Sequence, residues 1–569
     1  MTGHSRRTFL KGAALAAASV SALPGCAGVR RGRTARRGRP NVVLVMTDDQ
    51  GYGDLGRHGN DEIETPNLDR LYDDSVRFSH FHVSPVCSPT RASLMTGRYN
   101  YRTGVVDTYL GRSMMHPEEV TVAEMLGRHG YRTGIFGKWH LGDNYPMRAT
   151  DQGFQESLVH HGGGIAQPSD PEYFERKDTY FDPMLLHNGV AKRLPGYCTD
   201  VFTDAAIAFI DKHRNHPFFV YLATNAPHSP LLVEDKYSQP YLAQGLDAKT
   251  AKTYGMIANI DENLGRLFAR LRELGLEQNT LVIFLTDNGP CGSQGGPRYN
   301  AGQRARKGSV YDGGIHVPCF MRWPERLEAG KEVDRVAAHI DLLPTVLDAC
   351  GVPAPSDVHL DGTSLLPLAA GQAADWPDRT LYFQWHRGDE PEPYKNCAAR
   401  SQRYKLVNGN ELYDMAADPA EKNDVAAEHP GVVARMRAGY EAWFEDVGGT
   451  RGYAPPRIHL GTRHENPVAL TRQDWRGAAG WSDKDLGYWE VHVARAGNYD
   501  LEIQFPETKG PVVVNFRCAE TWLRQAVRPG VSSCAFTTVP LAEGDGRLEA
   551  WVGQGDRAAG VRSVVVQRL

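Results

Sequence analysis

Apolar residues along this chain first appear as short continuous runs. Asn41-Val42-Val43-Leu44-Val45-Met46-Thr47, Pro217-Phe218-Phe219-Val220-Tyr221-Leu222-Ala223 and Thr280-Leu281-Val282-Ile283-Phe284-Leu285-Thr286 are of this kind, and Tyr131-Arg132-Thr133-Gly134-Ile135-Phe136-Gly137 reads as a further strand. Such runs, rich in β-branched and aromatic residues, predict strands buried on both faces of a sheet. Helical signals lie between them. Thr65-Pro66 opens a helix through Asn67–Tyr72, Thr121–Leu126 is a helix closed by Gly130, and 254–274 repeats apolar positions at helical spacing. VRFSHFHV at 76–83 reads as a strand leading to Cys87. There Ser88 is the expected N-cap, Pro89 the first helical residue and Thr96-Gly97 the stop. Strands alternating with helices predict an α/β domain.

The pattern changes twice further on. From about Leu381, LYFQWHRG, RYKLVNG and ELYDMAADPAEKNDVA read as antiparallel strands and a final helix. Residues 448–470 are rich in Gly, Pro and Arg and read as a linker. After it, Tyr488–Val493, Tyr499–Phe505 and Gly546–Val552 alternate apolar and polar residues, the period of half-buried strands in a β-sandwich of about 100 residues. The boundaries expected are 1–39, 40–375, 376–450, 451–475 and 476–569. β-rich appendages of the last kind resemble carbohydrate-binding modules, and others only cap the domain they follow.

Composition narrows the class. With 41% hydrophobic and 23% charged residues in 569, the chain reads as globular and long enough for two or three domains. Nine cysteines without a C-x-x-C pair argue against a disulfide scaffold or a zinc site. Cys518 with Cys534, or Cys291 with Cys319, are pairings that sequence leaves open. Ser5-Arg6-Arg7-Thr8-Phe9-Leu10-Lys11, followed by the apolar AALAAASVSAL, resembles a twin-arginine export signal. The apolar run is shorter than the roughly 20 residues of a membrane span. Leu23-Pro24-Gly25-Cys26 resembles a lipoprotein cleavage site, and the basic stretch 30–39 reads as a solvated tether. The expected location is the periplasm, or a lipid anchor at the surface of a bacterium. The formal charge of −4 argues against nucleic acid as a partner, so positive charge for an anionic substrate has to be local.

Candidate chemistry sits at strand ends. Asp48-Asp49 follows the first buried run and Asp287-Asn288-Gly289 the last. Open α/β sheets collect ligands at the carboxyl ends of their strands, and oxygen donors suit Ca²⁺ or Mg²⁺ better than zinc. Asp and Asn are also ordinary turn residues. Cys87-Ser88-Pro89-Thr90-Arg91 places a cysteine at a helix N-terminus, where the dipole favours an anion, with a guanidinium one turn away. Lys138-Trp139-His140 and Asn225-Ala226-Pro227-His228 end two more strands, and Lys307-Gly308 to Gly313-Gly314 follows the Gly-rich loop after Asn288.

At C-x-P-x-R the chain resembles the formylglycine-dependent sulfatases of the alkaline-phosphatase-like superfamily, and the likeness extends from Asn41 to about Val447. The resemblance implies an alkaline-phosphatase-like mixed central sheet flanked by helices, with a small antiparallel α+β C-terminal subdomain. To these the sequence adds its own β-sandwich. It implies that a formylglycine-generating maturation enzyme oxidises Cys87, whose hydrated aldehyde is the nucleophile. It also implies Ca²⁺, in preference to Mg²⁺, at Asp48, Asp49, Cys87, Asp287 and Asn288. Arg91, Lys138 and Lys307 would then neutralise the transferred sulfate, with Asp287 as base. His228 or Lys307 would protonate the leaving alcohol, and His140 would expel sulfate. The implied substrate is a sulfated glycan or small sulfate ester. Three alternatives stay open: a phosphate-ester or phosphonate hydrolase of the same superfamily, an inactive surface glycan-binding protein, and a thiol-based hydrolase. The segment between Asp143 and Tyr197, with His160, His161 and Asp170, is expected to shape specificity, and His386 and Arg387 either line a subsite or end an exposed strand.

Overall fold

The computed structural model describes residues 38–292, 295–372, 376–554 and 557–569. The export signal, Cys26 and nearly all of the basic tether lie outside the described residues. Among those described, no helix is long and apolar enough to cross a membrane.

Ten strands form the central sheet: β1 Asn41–Thr47, β2 Val76–His82, β3 Arg132–Lys138, β4 Glu156–His160, β5 Met184–His187, β6 Val190–Arg193, β7 Phe218–Ala223, β8 Thr280–Thr286, β9 Cys319–Arg322 and β10 Glu332–Ala338. Their order is β10-β2-β9-β8-β1-β7-β3-β4-β5-β6. The middle run β8-β1-β7-β3-β4 is parallel, while β9, β5 and β6 pair antiparallel to their neighbours, so the sheet is mixed as expected. The continuous apolar runs have a direct cause. Val42, Leu44 and Met46 enter one core, and Val43 and Val45 the other. Strand side chains alternate between faces, so a strand covered by helices on both sides cannot alternate apolar with polar residues. Helices Cys87–Thr96, Val122–Arg128 and Leu342–Cys350 cover the first face, and Pro66–Asp73, Cys198–His213 and Ala248–Glu273 the second.

Local signals set several helix ends. Thr121 and Glu124 form a reciprocal capping box. The long helix starts at Ala248, earlier than its apolar spacing predicts, because the Asp247 side chain accepts from the amides of Lys249 and Thr250. Strand β3 runs so close to β7 that a Cβ on Gly137 would lie 1.8 Å from the Ala223 carbonyl oxygen, and Gly137 has φ +122°. Gly137→Ala is therefore expected to destabilise the protein by more than about 1 kcal/mol, read as a lower midpoint in urea unfolding. An unchanged midpoint would show that β3 can move away.

The C-terminal subdomain is a four-stranded antiparallel sheet, Leu381–Gln384, Cys397–Arg400, Tyr404–Val407 and Glu411–Asp414, packed by helix Pro430–Gly449. Beyond it two sheets face one another. One contains Ile458–Leu460, Tyr488–Val493, Gly544–Gln554, Val512–Cys518 and Thr521–Val527; the other contains Val468–Thr471, Ser563–Arg568, Gly497–Gln504 and Ser533–Leu541. The expectation of a linker at 451–475 needs correcting, since Ile458–Leu460 and Val468–Thr471 supply a strand to each sheet. Gly and Pro between short strands look like a tether when only composition is read. Nor does the sandwich hang free. Leu110, Met114 and Met147 of the catalytic body pack into its core, and residues 39–569 form one compact unit. Cys319, Cys518 and Cys534 are buried thiols, so neither disulfide pairing is formed.

Candidate active site

Parallel pairing of β1 with β8 runs in register from Asn41↔Thr280 to Thr47↔Thr286, so the two strands end level. Asp48-Asp49 thereby meets Asp287-Asn288. The Asp287 amide donates to the Thr47 carbonyl at 3.1 Å, and the Asp49 amide to Asp287 Oδ1 at 3.3 Å. Asn288 Nδ2 donates to Asp49 Oδ1 at 2.8 Å. On the other side of β1, β7 leads through Asn225 to His228, and beyond it β3 ends in Lys138.

The helix that follows β2 brings Cys87 to the same place. Its N-cap is Val86, in extended conformation, and the helix runs Cys87–Thr96, which corrects the expected start at Ser88-Pro89. The Ser88 hydroxyl makes no capping bond; instead Thr90 Oγ1 donates to the Ser84 carbonyl at 3.2 Å. Gly97, at φ +67°, ends the helix as expected. One turn in, the fully buried Arg91 donates to Asp287 Oδ2 at 2.7 Å and to the Lys138 carbonyl at 2.9 Å, and lies 3.7 Å from Asp48 Oδ2. Lys138 pairs with Asp48, and Lys307 with Asp49. His228 Nε2 stands 3.9 Å from Asp49 Oδ2.

Some atoms here remain unsatisfied. Asp48 Oδ1, Asp49 Oδ2 and Asn288 Oδ1 are buried with no hydrogen-bond partner among the described residues. Leaving such oxygens bare costs free energy, and an ion is one of the standard explanations. Donor atoms of Asp48, Asp49 and His228, and of Asp48, Cys87 and Asp287, lie within 4.8 Å of one another. The residues therefore fit a divalent cation, and carboxylate and amide oxygens suit a hard one.

Electrostatics follow from burial and neighbours. Burial and the Asp48 charge push the Asp287 carboxyl up to about 6, against the pull of Arg91. For Asp49 burial acts the same way, yet Lys307 and His228 overcome it and hold the carboxyl below its usual range. Burial lowers His228 to about 4, partly opposed by Asp49. Burial raises the Cys87 thiol even against Lys138 and Lys307. Burial thus disfavours the thiolate of an unmodified Cys87, which argues against a thiolate nucleophile. His140 Nε2 lies 2.7 Å from the Thr108 carbonyl, so that nitrogen carries the proton. Its Nδ1 is buried without a hydrogen-bond partner among the described residues. Burial and Lys138 hold the ring well below the usual histidine range, hence neutral.

Cys87, His140, His228 and Lys307 line one open cleft of about 610 Å³. Asp48, Asp49, Asp287, Asn288, Arg91 and Lys138 form its floor through the contacts above. Other candidates fall elsewhere. His160 lines a separate cavity with Trp139 and Asp143, His161 faces Asp143 at 3.8 Å, and Asp170 accepts from the Ala166 and Glu172 amides. Their segment reaches the cleft through Gly163 and Gln167. His386 is bound to the backbone of Glu392, whereas Arg387 lines the cleft. Tyr109, Trp385 and Trp481 also line it, and sequence reading missed all three. Tyr109 and Trp481 are isolated aromatics in loops, and Trp385 follows directly on strand Leu381–Gln384 beside the noted His386-Arg387.

A family described as Sulfatase matches residues 40–352, and one described as N-sulphoglucosamine sulphohydrolase, C-terminal, matches residues 305–439. The chain is 33% identical to N-acetylgalactosamine-6-sulfatase of Homo sapiens over 378 residues, 62% of this chain and 69% of that protein. It is 32% identical to arylsulfatase A of Homo sapiens over 452 residues, 73% of this chain and 85% of that protein. Among solved structures, Ps i-CgsB in complex with k-i-k-neocarrahexaose superposes with a TM-score of 0.66 at 31% identity, covering 73% of this chain and 95% of that one.

Proposed function

The chain belongs to the sulfatase family and is a sulfuric ester hydrolase; from that premise we propose that it removes sulfate from sulfated saccharides, with Cys87 matured to formylglycine and Ca²⁺ at the strand ends. One observation carries the reading. Unsatisfied oxygens of Asp48, Asp49 and Asn288 converge beside Cys87, with Lys138 and Lys307 in the same shell. The relatives' names support the substrate class, one taking N-acetylgalactosamine 6-sulfate and another holding a neocarrahexaose. Maturation by a formylglycine-generating enzyme and export through the N-terminal segment, with or without a lipid at Cys26, belong to the same proposal.

Asp48, Asp49, Asp287 and Asn288, with residue 87, would hold the cation. When bound, the cation supplies positive charge for a sulfate oxygen, and formylglycine supplies the nucleophilic oxygen. Lys138 and Lys307 offset the charge that grows on the transferred SO₃, in a site where burial strengthens each interaction. Arg91 keeps the floor in place through its bonds to Asp287 and the Lys138 carbonyl, with Asp48 3.7 Å from the same guanidinium. The leaving oxygen takes its proton from Lys307, which lines the cleft as a charged ammonium; His228 lines it too, but burial keeps its ring neutral with Nδ1 committed to the Ser229 carbonyl. His140, whose Nε2 proton is committed to Thr108, accepts a proton at Nδ1 from residue 87 as sulfate departs.

The test is sulfate release, by ion chromatography, from N-acetylgalactosamine 6-sulfate, neocarrahexaose and 4-nitrophenyl sulfate, beside phosphate and phosphonate esters. Release from a saccharide supports the proposal; phosphate release alone would transfer the site to the phosphohydrolase reading. Chelation followed by dialysis is expected to lower the rate by more than about tenfold, with Ca²⁺ restoring it better than Mg²⁺. Full activity in protein stripped of metal, as read by elemental analysis, would sink the Ca²⁺ assignment.

A further inference from the structure

We propose that Tyr109 and Trp481 form a stacking subsite for a saccharide ring next to the sulfated one, with Arg387 as its anion-reading group, so that the C-terminal sandwich is part of the substrate site. This rests on the saccharide sulfatase reading above. The family matches end at residue 439, so Trp481 belongs to a part of the chain they do not reach.

Trp481 lies in the sandwich segment between Val468–Thr471 and Tyr488–Val493, and it lines the same cleft as Cys87 and Lys307. Its ring meets Tyr109 edge-on, with centroids 5.0 Å apart and planes at 84°. Both side chains are only partly buried. Two aromatic rings held half-open at the mouth of a polar cleft offer what a pyranose uses, an apolar surface for its C–H face. Arg387 completes the site, its guanidinium 4.5 Å from the Tyr109 ring centroid and 5.0 Å from that of Trp385. Its bonds to Asp107 and Thr108 both leave from Nη1, and its side chain is 53% exposed. That leaves a forked cation facing the cleft, suited to a carboxylate or second sulfate.

Anchoring on both sides argues for a built site. Trp481 Nε1 donates to the Arg472 carbonyl at 3.1 Å, and the buried Arg472 returns a bond to the Trp481 carbonyl at 2.6 Å. One residue along, Gln473 accepts from the Gly111 amide at 2.9 Å, and its Nε2 donates to the Thr108 carbonyl at 3.0 Å and to Ser113 Oγ at 3.1 Å. The stretch that positions Trp481 thus also fixes the loop carrying Tyr109, and Thr108 is the group that orients His140. Rings fixed before binding lose little entropy on meeting a ligand.

The experiment compares wild type with Trp481→Ala and Trp481→Phe on neocarrahexaose, on a chondroitin 6-sulfate tetrasaccharide and on 4-nitrophenyl sulfate, which has no second sugar. For Trp481→Ala the ratio of saccharide to 4-nitrophenyl sulfate kcat/KM is expected to fall about tenfold, chiefly through KM. Trp481→Phe should recover most of it. Equal losses on all substrates, or an unchanged ratio, overturn the subsite. Calorimetric binding of the two saccharides to Cys87→Ala protein, with and without Trp481→Ala, gives a turnover-free reading. Weaker binding without Trp481 supports the subsite even if no sulfate is released, an outcome that would fault only the reaction; equal affinity, or no binding with Trp481 intact, overturns it.

Discussion

Cys87→Ala protein is expected to lose sulfate release by at least about 10⁴-fold in kcat, with its unfolding midpoint close to that of the parent. Position 87 is the first residue of a helix, where alanine is readily accommodated, and Cys87 is 3% exposed in a site already held by Arg91 and the strand ends. The substitution removes the nucleophilic atom, and with it one of the groups that would hold the cation, while Asp48, Asp49, Asp287 and Asn288 stay in place. The comparison needs mass spectrometry of the peptide bearing residue 87. In active wild type that residue should have exchanged its sulfur for oxygen and lost two hydrogens. If active protein instead keeps the thiol and is silenced by alkylation, the formylglycine assignment fails and the thiol reading returns, against the raised Cys87 pKa.

Arg91→Ala should lose about 3–5 kcal/mol of stability. The guanidinium is fully buried, bonded to Asp287 and to the Lys138 carbonyl and 3.7 Å from Asp48. Without it the carboxylates keep their mutual repulsion and lose a compensating charge. Arg91→Lys keeps the charge and cannot span both partners with one ammonium, so its loss should fall between those of Arg91→Ala and wild type. Urea unfolding of the three proteins, with sulfate release in parallel, measures both effects. If Arg91→Ala unfolds at the wild-type midpoint, Arg91 is not the counter-charge that holds the floor together.

The cluster of candidate residues was legible because it follows strand ends and one spaced motif. Asp48-Asp49 and Asp287-Asn288 come directly after strands, Lys138 ends one and His228 follows one after a short extension, and a buried strand announces itself by unbroken apolar sequence. The mouth of the cleft was not legible. Tyr109, Trp385 and Trp481 sit in loops of three different parts of the fold, and no periodicity or short motif relates them. His160, His161 and Asp170 drew notice as chemically capable side chains, yet their bonds hold local loop structure.

By itself the sequence determined five of the ten strands of the central sheet and several of its helices, the two changes of pattern toward antiparallel β structure, and the residues able to form an oxygen-rich cation site. These depend on side-chain period and on chemistry carried within a few positions, which a linear chain displays in full. Only the tertiary structure decided that β1 and β8 are neighbours in register, which unites Asp48-Asp49 with Asp287-Asn288, 239 residues apart. It alone decided that residues 451–475 enter both sheets and that a sandwich tryptophan reaches the cleft. Register and packing are set by which surfaces exclude water together, a property of the folded chain that no single segment contains.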